Sequence, residues 1–191
     1  MRFLGHLLTA VVVALAVGFG FSWYTLNEGS LFGTIAVGPW SAWQQAGTET
    51  PDPYTRAHVA RSGALQLGNS EGLQFVATTD SDGLRLDRDC RYRIHGMTPV
   101  ATFWSMVPVA PNGTIITLPG APPAFHSKRV ARATDGSLQL YVSKTLSPRN
   151  WLEITGEGPF ALQFTLYDAS SFAGVGTAEA EMPTIIREAC L

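Results

Sequence analysis

Four aspartates, Asp80, Asp82, Asp87 and Asp89, fall within ten residues of one another in "TDSDGLRLDRD". A hard cation such as calcium needs several converging oxygens, so this is the densest acidic cluster to weigh for metal chemistry. No bidentate glutamate follows at calcium-loop spacing, and Asp-Gly between two apolar runs is a tight-turn sequence. The segment reads as a hairpin turn, and no metal is assigned to it. The four histidines are His6, His58, His95 and His126. None forms a His-x-His or HExxH pair, and no serine sits in a G-x-S-x-G elbow. A serine, a histidine and an aspartate would have to converge from distant parts of the chain to make a hydrolase. No catalytic residue and no cofactor is assigned.

Binding chemistry draws on other residues. "FHSKRVAR" gathers His126, Lys128, Arg129 and Arg132 just after a proline-rich turn. A solvated loop is the plain reading, and an anion- or glycan-contacting loop is the functional one. Trp104 and Trp151 are the candidate aromatic platform of a sugar-binding sandwich. Large aromatics mostly fill cores, however, and Trp104 adjoins Phe103 on an alternating strand, so one of the two faces away from its neighbour. The ligand-binding expectation therefore names Trp104, Trp151, His126, Lys128 and Arg129.

These residues must be positioned by elements, and the elements begin with a greasy one. After Arg2 no charge occurs until Glu28. Residues 7–26 form a 20-residue apolar run, about 30 Å long as a helix, which matches a bilayer core. A cleaved signal peptide is the rival reading, but its apolar region is shorter, roughly 7–15 residues. Trp23 and Tyr24 stand at the far end, where aromatic rings favour the membrane interface. Arg2 favours a cytoplasmic N-terminus. The expectation is a signal-anchor over residues 1–28, crossing the inner membrane through residues 7–26, and an exported remainder.

Two cysteines, Cys90 and Cys190, fit that expectation. In a reducing cytosol so distant a pair would be two unrelated buried thiols. In an oxidising space it is one disulfide pinning the C-terminal tail to the domain body. No second cysteine or histidine lies at ligand spacing around either, so zinc is not indicated. The formal net charge of −2 gives no electrostatic argument for nucleic acid.

Residues 29–51 read as a connector holding one short strand near residues 34–37. Asp52 then suits an N-cap and Pro53 a first helical position. Ala57, Ala60, Ala64 and Leu67 recur at spacings of three and four, with Gly68 and Asn69 as a stop, which predicts a helix of about 14 residues laid on a sheet by its small face. From there the pattern alternates. Residues 73–79, 90–96, 101–107, 114–118, 137–143 and 160–168 read as strands separated by "DSDG", "PNG", "PGAPP" and "TDG". In the last run Phe160, Leu162, Phe164 and Leu166 face one way. Short strands with such punctuation indicate a mainly β fold, an antiparallel sandwich or jelly roll over residues 52–191 with one packed helix.

Several stretches occur in a familiar order: "DPYTRAHVARSGALQLGNSEG", "TDSDGLRLDRDCRYRIHG", "ATFWSMVPVAPNG", "TDGSLQLYVS", "NWLEITGEGPFALQFTLYD" and "MPTIIREAC". In these the chain resembles the bacterial domain-of-unknown-function 1214 family over residues 52–190, in a short, membrane-led form. It departs at Val109-Ala110, where the family usually has Tyr-Asp after the Phe-Trp strand. The resemblance implies a jelly-roll-like β fold and an envelope location, and carries no activity. The function expected is a membrane-tethered periplasmic protein, an interaction module rather than an enzyme, with an envelope protein or a glycan as partner.

Overall fold

The computed structural model describes residues 2–27, 33–63, 67–68, 70–168 and 181–190. It opens with one long helix, α1 (Arg2–Asn27). Its apolar side chains point outward along its length: Leu8, Val12, Leu15 and Phe19 are all exposed. A helix serving the protein core would hide such a stripe, and this one leaves it uncovered. It is one N-terminal helix long and apolar enough to cross a membrane.

The rest is mainly β. The strands are β1 (Thr34–Val37), β2 (Trp40–Trp43), β3 (Gly72–Ala77), β4 (Cys90–Gly96), β5 (Phe103–Val109), β6 (Phe125–His126), β7 (Leu138–Ser143), β8 (Asn150–Glu153), β9 (Ala161–Tyr167) and β10 (Thr184–Cys190). They form a six-stranded antiparallel sheet, β1-β2-β3-β9-β5-β6, and a four-stranded sheet, β10-β4-β7-β8. The pairing is antiparallel throughout except between β7 and β8, which run parallel. Side chains from both sheets meet in one apolar cluster, giving a sandwich-like arrangement. Trp40, Phe75, Trp104, Phe164 and Leu166 come from the larger sheet, and Tyr92, Ile94, Leu140, Val142 and Ile185 from the smaller. The period-two pattern of β9 is the reason it lies at the centre: Leu162, Phe164 and Leu166 are wholly buried, as is the preceding Phe160.

Several elements differ from the sequence expectation, and β2, β6, β8 and β10 were not among the expected strands. The second helix, α2 (Pro53–Ser62), has 10 residues rather than about 14. Its start is as expected: the Asp52 carboxylate accepts the backbone N–H groups of Tyr54 and Thr55. It stops early because Gly63 adopts the left-handed conformation, φ 60°, and donates its N–H to Val59 O. Thr55 is the one buried residue of this helix, and Ala60 is exposed, so no small-residue face is laid on the sheet. Ala64 and Asn69 lie outside the described residues.

Residues 114–118 are not a strand. They make one isolated bridge, Val109 to Ile115, because the Ile116 carbonyl accepts from the backbone and hydroxyl of Thr155 instead of from a neighbouring strand. In the stretch expected to be a connector, the one short strand expected near residues 34–37 is β1, and β2 follows it. β1 and β2 extend the larger sheet, and Trp40 is wholly buried with its indole N–H on Pro183 O, 2.7 Å away. The expected disulfide is present: Cys90 on β4 and Cys190 on β10 face each other across the strand pair.

Candidate functional site

The outer face of the larger sheet, turned away from the core, carries a cleft of about 920 Å³. Strand pairing builds its floor. Gln163 of β9 stands opposite Val76 of β3 on one side and Val107 of β5 on the other. One step along, Gln74 of β3 stands opposite Thr165, and its amide donates to the Thr165 hydroxyl at 3.3 Å. The two glutamines therefore point out of the same face by strand alternation alone. Among the described residues the Gln163 amide makes no hydrogen bond, so donor and acceptor both remain for solvent or a ligand.

One wall comes from α2 and the end of β2. Trp43 and His58 stack with ring centroids 4.3 Å apart and planes 17° from parallel. Burial pushes the His58 pKa below its ordinary value, so the imidazole is neutral at pH 7. The facing wall is the turn after β5, where Asn112 accepts from the backbone and hydroxyl of Thr114. Among the described lining residues there is no carboxylate and no lysine, and Arg61 supplies the single formal charge. The described lining offers amides, hydroxyls and rings.

The residues singled out from sequence lie elsewhere and do not converge. Trp104 is 2% exposed, packed edge-on against Phe164 at 5.5 Å and tilted against Phe125 at 6.3 Å. It is a core residue, and the expectation that it offers a face to a ligand is corrected. Its ring falls on the inward side of β5, leaving Phe103 outward. Trp151 belongs to β8 in the other sheet, half-buried, its indole N–H on Ser143 O. The two tryptophans form no common platform. His126 lies on β6 against the Phe103 ring, its buried Nδ1 without a partner among the described residues. Lys128 and Arg129 follow it on an exposed 3-10 turn, Ser127–Arg129, and Arg132 is held by Gly136 O and the Thr98 hydroxyl.

The aspartates serve as turn and ion-pair groups. Asp80 accepts from the N–H groups of Asp82 and Leu84 and pairs with Arg187 at 3.0 Å, while Asp89 pairs with Lys144 at 2.7 Å. Among the described residues no three histidine, cysteine or acidic side chains gather as a metal would require. His58, His95 and His126 sit on α2, β4 and β6, and no imidazole among them bonds a serine or aspartate within the described residues. Trp43, Gln74 and Gln163 were missed as site residues. Alternation marks Gln163 as outward, but only the register of β3, β9 and β5 shows what surrounds it.

Fold and site together define a β-sandwich domain with a polar cleft whose described lining has one formal charge, carried behind a membrane-length apolar helix. The chain belongs to the family described as "Protein of unknown function (DUF1214)", which matches residues 71–171. Gln74 and Gln163 fall within the matched stretch, and Trp43 and His58 before it. No curated protein matches the chain. Among solved structures it is similar to the VPA0106 protein from Vibrio parahaemolyticus, at 22% identity and a TM-score of 0.58, over 71% of this chain and 35% of that one. It is also similar to a putative uncharacterized protein from Burkholderia cenocepacia, at 18% identity and a TM-score of 0.47, over 92% of this chain and 52% of that one. The chain thus spans about a third of the first protein and half of the second. The first likeness supports the sandwich fold and nothing finer.

Proposed function

We propose that this is a periplasmic binding module tethered to the bacterial inner membrane by α1, with the cleft on the larger sheet as its binding face. The observation that carries the reading is the pairing, in one chain, of an outward-facing apolar helix with a disulfide. A disulfide persists where the compartment is oxidising, and an apolar helix with nothing packed over it is stable in lipid. The cleft favours binding, because its described lining holds hydrogen-bonding and aromatic groups without a carboxylate. On this reading α1 is retained as an uncleaved anchor and the sandwich engages an envelope component.

The test is made on the full chain in bacterial membranes. Washed membranes should keep the protein through alkaline carbonate, and the intact mass should include α1. Cys90 and Cys190 should resist alkylation until a reductant is added. A mature protein lacking α1, or two thiols that alkylate without reduction, would overturn the tethered, exported reading.

A further inference from the structure

We infer that the cleft takes a neutral carbohydrate, held by Gln163 and Gln74 on the floor and by the Trp43–His58 stack on the wall; this deepens the binding reading above and rests on it. The argument begins with what the floor demands. Gln163 carries one donor group and one acceptor group, flanked on both sides by valines and unpaired among the described residues. An apolar ligand would strip water from that amide and return nothing to it. A ligand with hydroxyls satisfies both halves, since each hydroxyl gives one bond and accepts others.

Charge narrows the class further. A cationic ligand would need a carboxylate, and the described lining has none; an acidic one would want several cations, and the described lining has one, Arg61. The wall supplies the other half of sugar recognition. Pyranose rings have apolar C–H faces that lie against flat aromatic surfaces. Trp43 and His58 stack at 4.3 Å and cover each other's inner faces, so what the pair offers beside the amide floor is an outer ring face. His58 contributes as a neutral ring, because burial disfavours its charged form. The volume, about 920 Å³, lies within the roughly 300–1,000 Å³ of ligand sites and has room for a short oligosaccharide rather than one monosaccharide.

The test uses the full chain in lipid nanodiscs, because glycoside detergents carry a neutral sugar head group themselves. Cellotetraose, maltotetraose and chitotetraose are the neutral probes, tetragalacturonate the acidic one and laurate the apolar one, each titrated by calorimetry. The expected result is binding of at least one neutral tetrasaccharide, weakened about tenfold or more by Gln163→Leu. Gln163→Leu should fold, since it sets a similar-sized apolar side chain between two valines, and an unchanged thermal midpoint checks this. Gln139→Leu, an amide on the other sheet, should bind as the parent does. Failure of all three neutral probes, or neutral binding that Gln163→Leu leaves intact, overturns the carbohydrate assignment. If tetragalacturonate or laurate binds instead and is lost in Gln163→Leu, the neutral-carbohydrate assignment falls while the binding module stands. If no probe binds and the carbonate and thiol tests also fail, both fall together.

Discussion

Gly72 shows how closely two strands can be forced together at one residue. A Cβ placed there would lie 2.0 Å from the Leu166 carbonyl oxygen and 2.8 Å from Leu67 Cδ2. The first obstacle is backbone of the central strand β9, which cannot turn aside like a flexible side chain. Gly72→Ala should therefore cost about 3–5 kcal/mol in urea denaturation, at the high end for a single substitution. A loss below 1 kcal/mol would mean that β3 and β9 are spaced differently. His58 makes a second prediction at this scale. Its folded pKa lies below the ordinary 6.5 because burial disfavours the imidazolium. As pH falls from 7 through the range under 6.5, the unfolded chain takes up the proton first. Folded stability must then drop on acidification, and His58→Phe, which keeps a ring against Trp43, should flatten that part of the pH profile. The imidazole is partly solvated, so the effect is small, and the ring C–H shift by NMR follows it directly. Little of this site was legible beforehand. The "WSAW" of β2 and the glutamines of β3 and β9 are ordinary strand residues until pairing brings them to one face. Trp104, the conspicuous candidate, is where its hydrophobicity would send it.

Strand β10 is held to the sandwich by unlike devices along its length. Ile185 enters the core, the buried Asp80 carboxylate pairs with Arg187, and Cys190 is bonded to Cys90 across the β4 pair. It is also an edge strand with an irregularity between Arg187 and Ala189, so its own ladder is interrupted. The cysteines lie 100 residues apart, and closing a loop of that size is worth up to about 4.7 kcal/mol through the unfolded chain. Replacing both with alanine should lower stability by about 2–4 kcal/mol, and hydrogen exchange should show β10 amides losing protection ahead of β9. Uniform loss across both strands would place the disulfide's effect on the whole fold instead. The same strand explains a limit on reading elements from sequence. β9 was legible because the core takes every second residue, giving an unbroken alternation. β10 buries Ile185 alone, so its pattern carries no period, and only its cysteine signalled an attachment. Residues 114–118 erred the other way: "TIITL" has strand composition, but its Ile116 carbonyl is taken by Thr155. Backbone pairing, not propensity, separates the two cases: β10 runs a ladder along β4, and residues 114–118 make one bridge.

At the scale of the molecule, the two parts of the chain treat apolar surface in opposite ways. The sandwich buries its apolar residues internally, whereas α1 leaves Leu4, Val11, Val17 and Phe21 uncovered. Its two threonine hydroxyls are satisfied within the helix: Thr9 donates to Gly5 O at 2.6 Å and Thr25 to Phe21 O at 3.0 Å. Val13 lies near the middle of this helix and is exposed. A charge there meets the centre of the bilayer if the helix spans it, and Val13→Arg should then cost roughly 2.5–3.5 kcal/mol of insertion. Two readouts should move together. The carbonate-resistant fraction should shrink, and the protein left in the cytoplasm should carry reduced, alkylatable Cys90 and Cys190. Moving the arginine to Asn27, at the helix end, should leave both unchanged, because a long basic side chain there reaches the interface. If Val13→Arg leaves the protein membrane-bound and oxidised, α1 does not span the bilayer, and the exposed apolar surface must be covered by another protein chain.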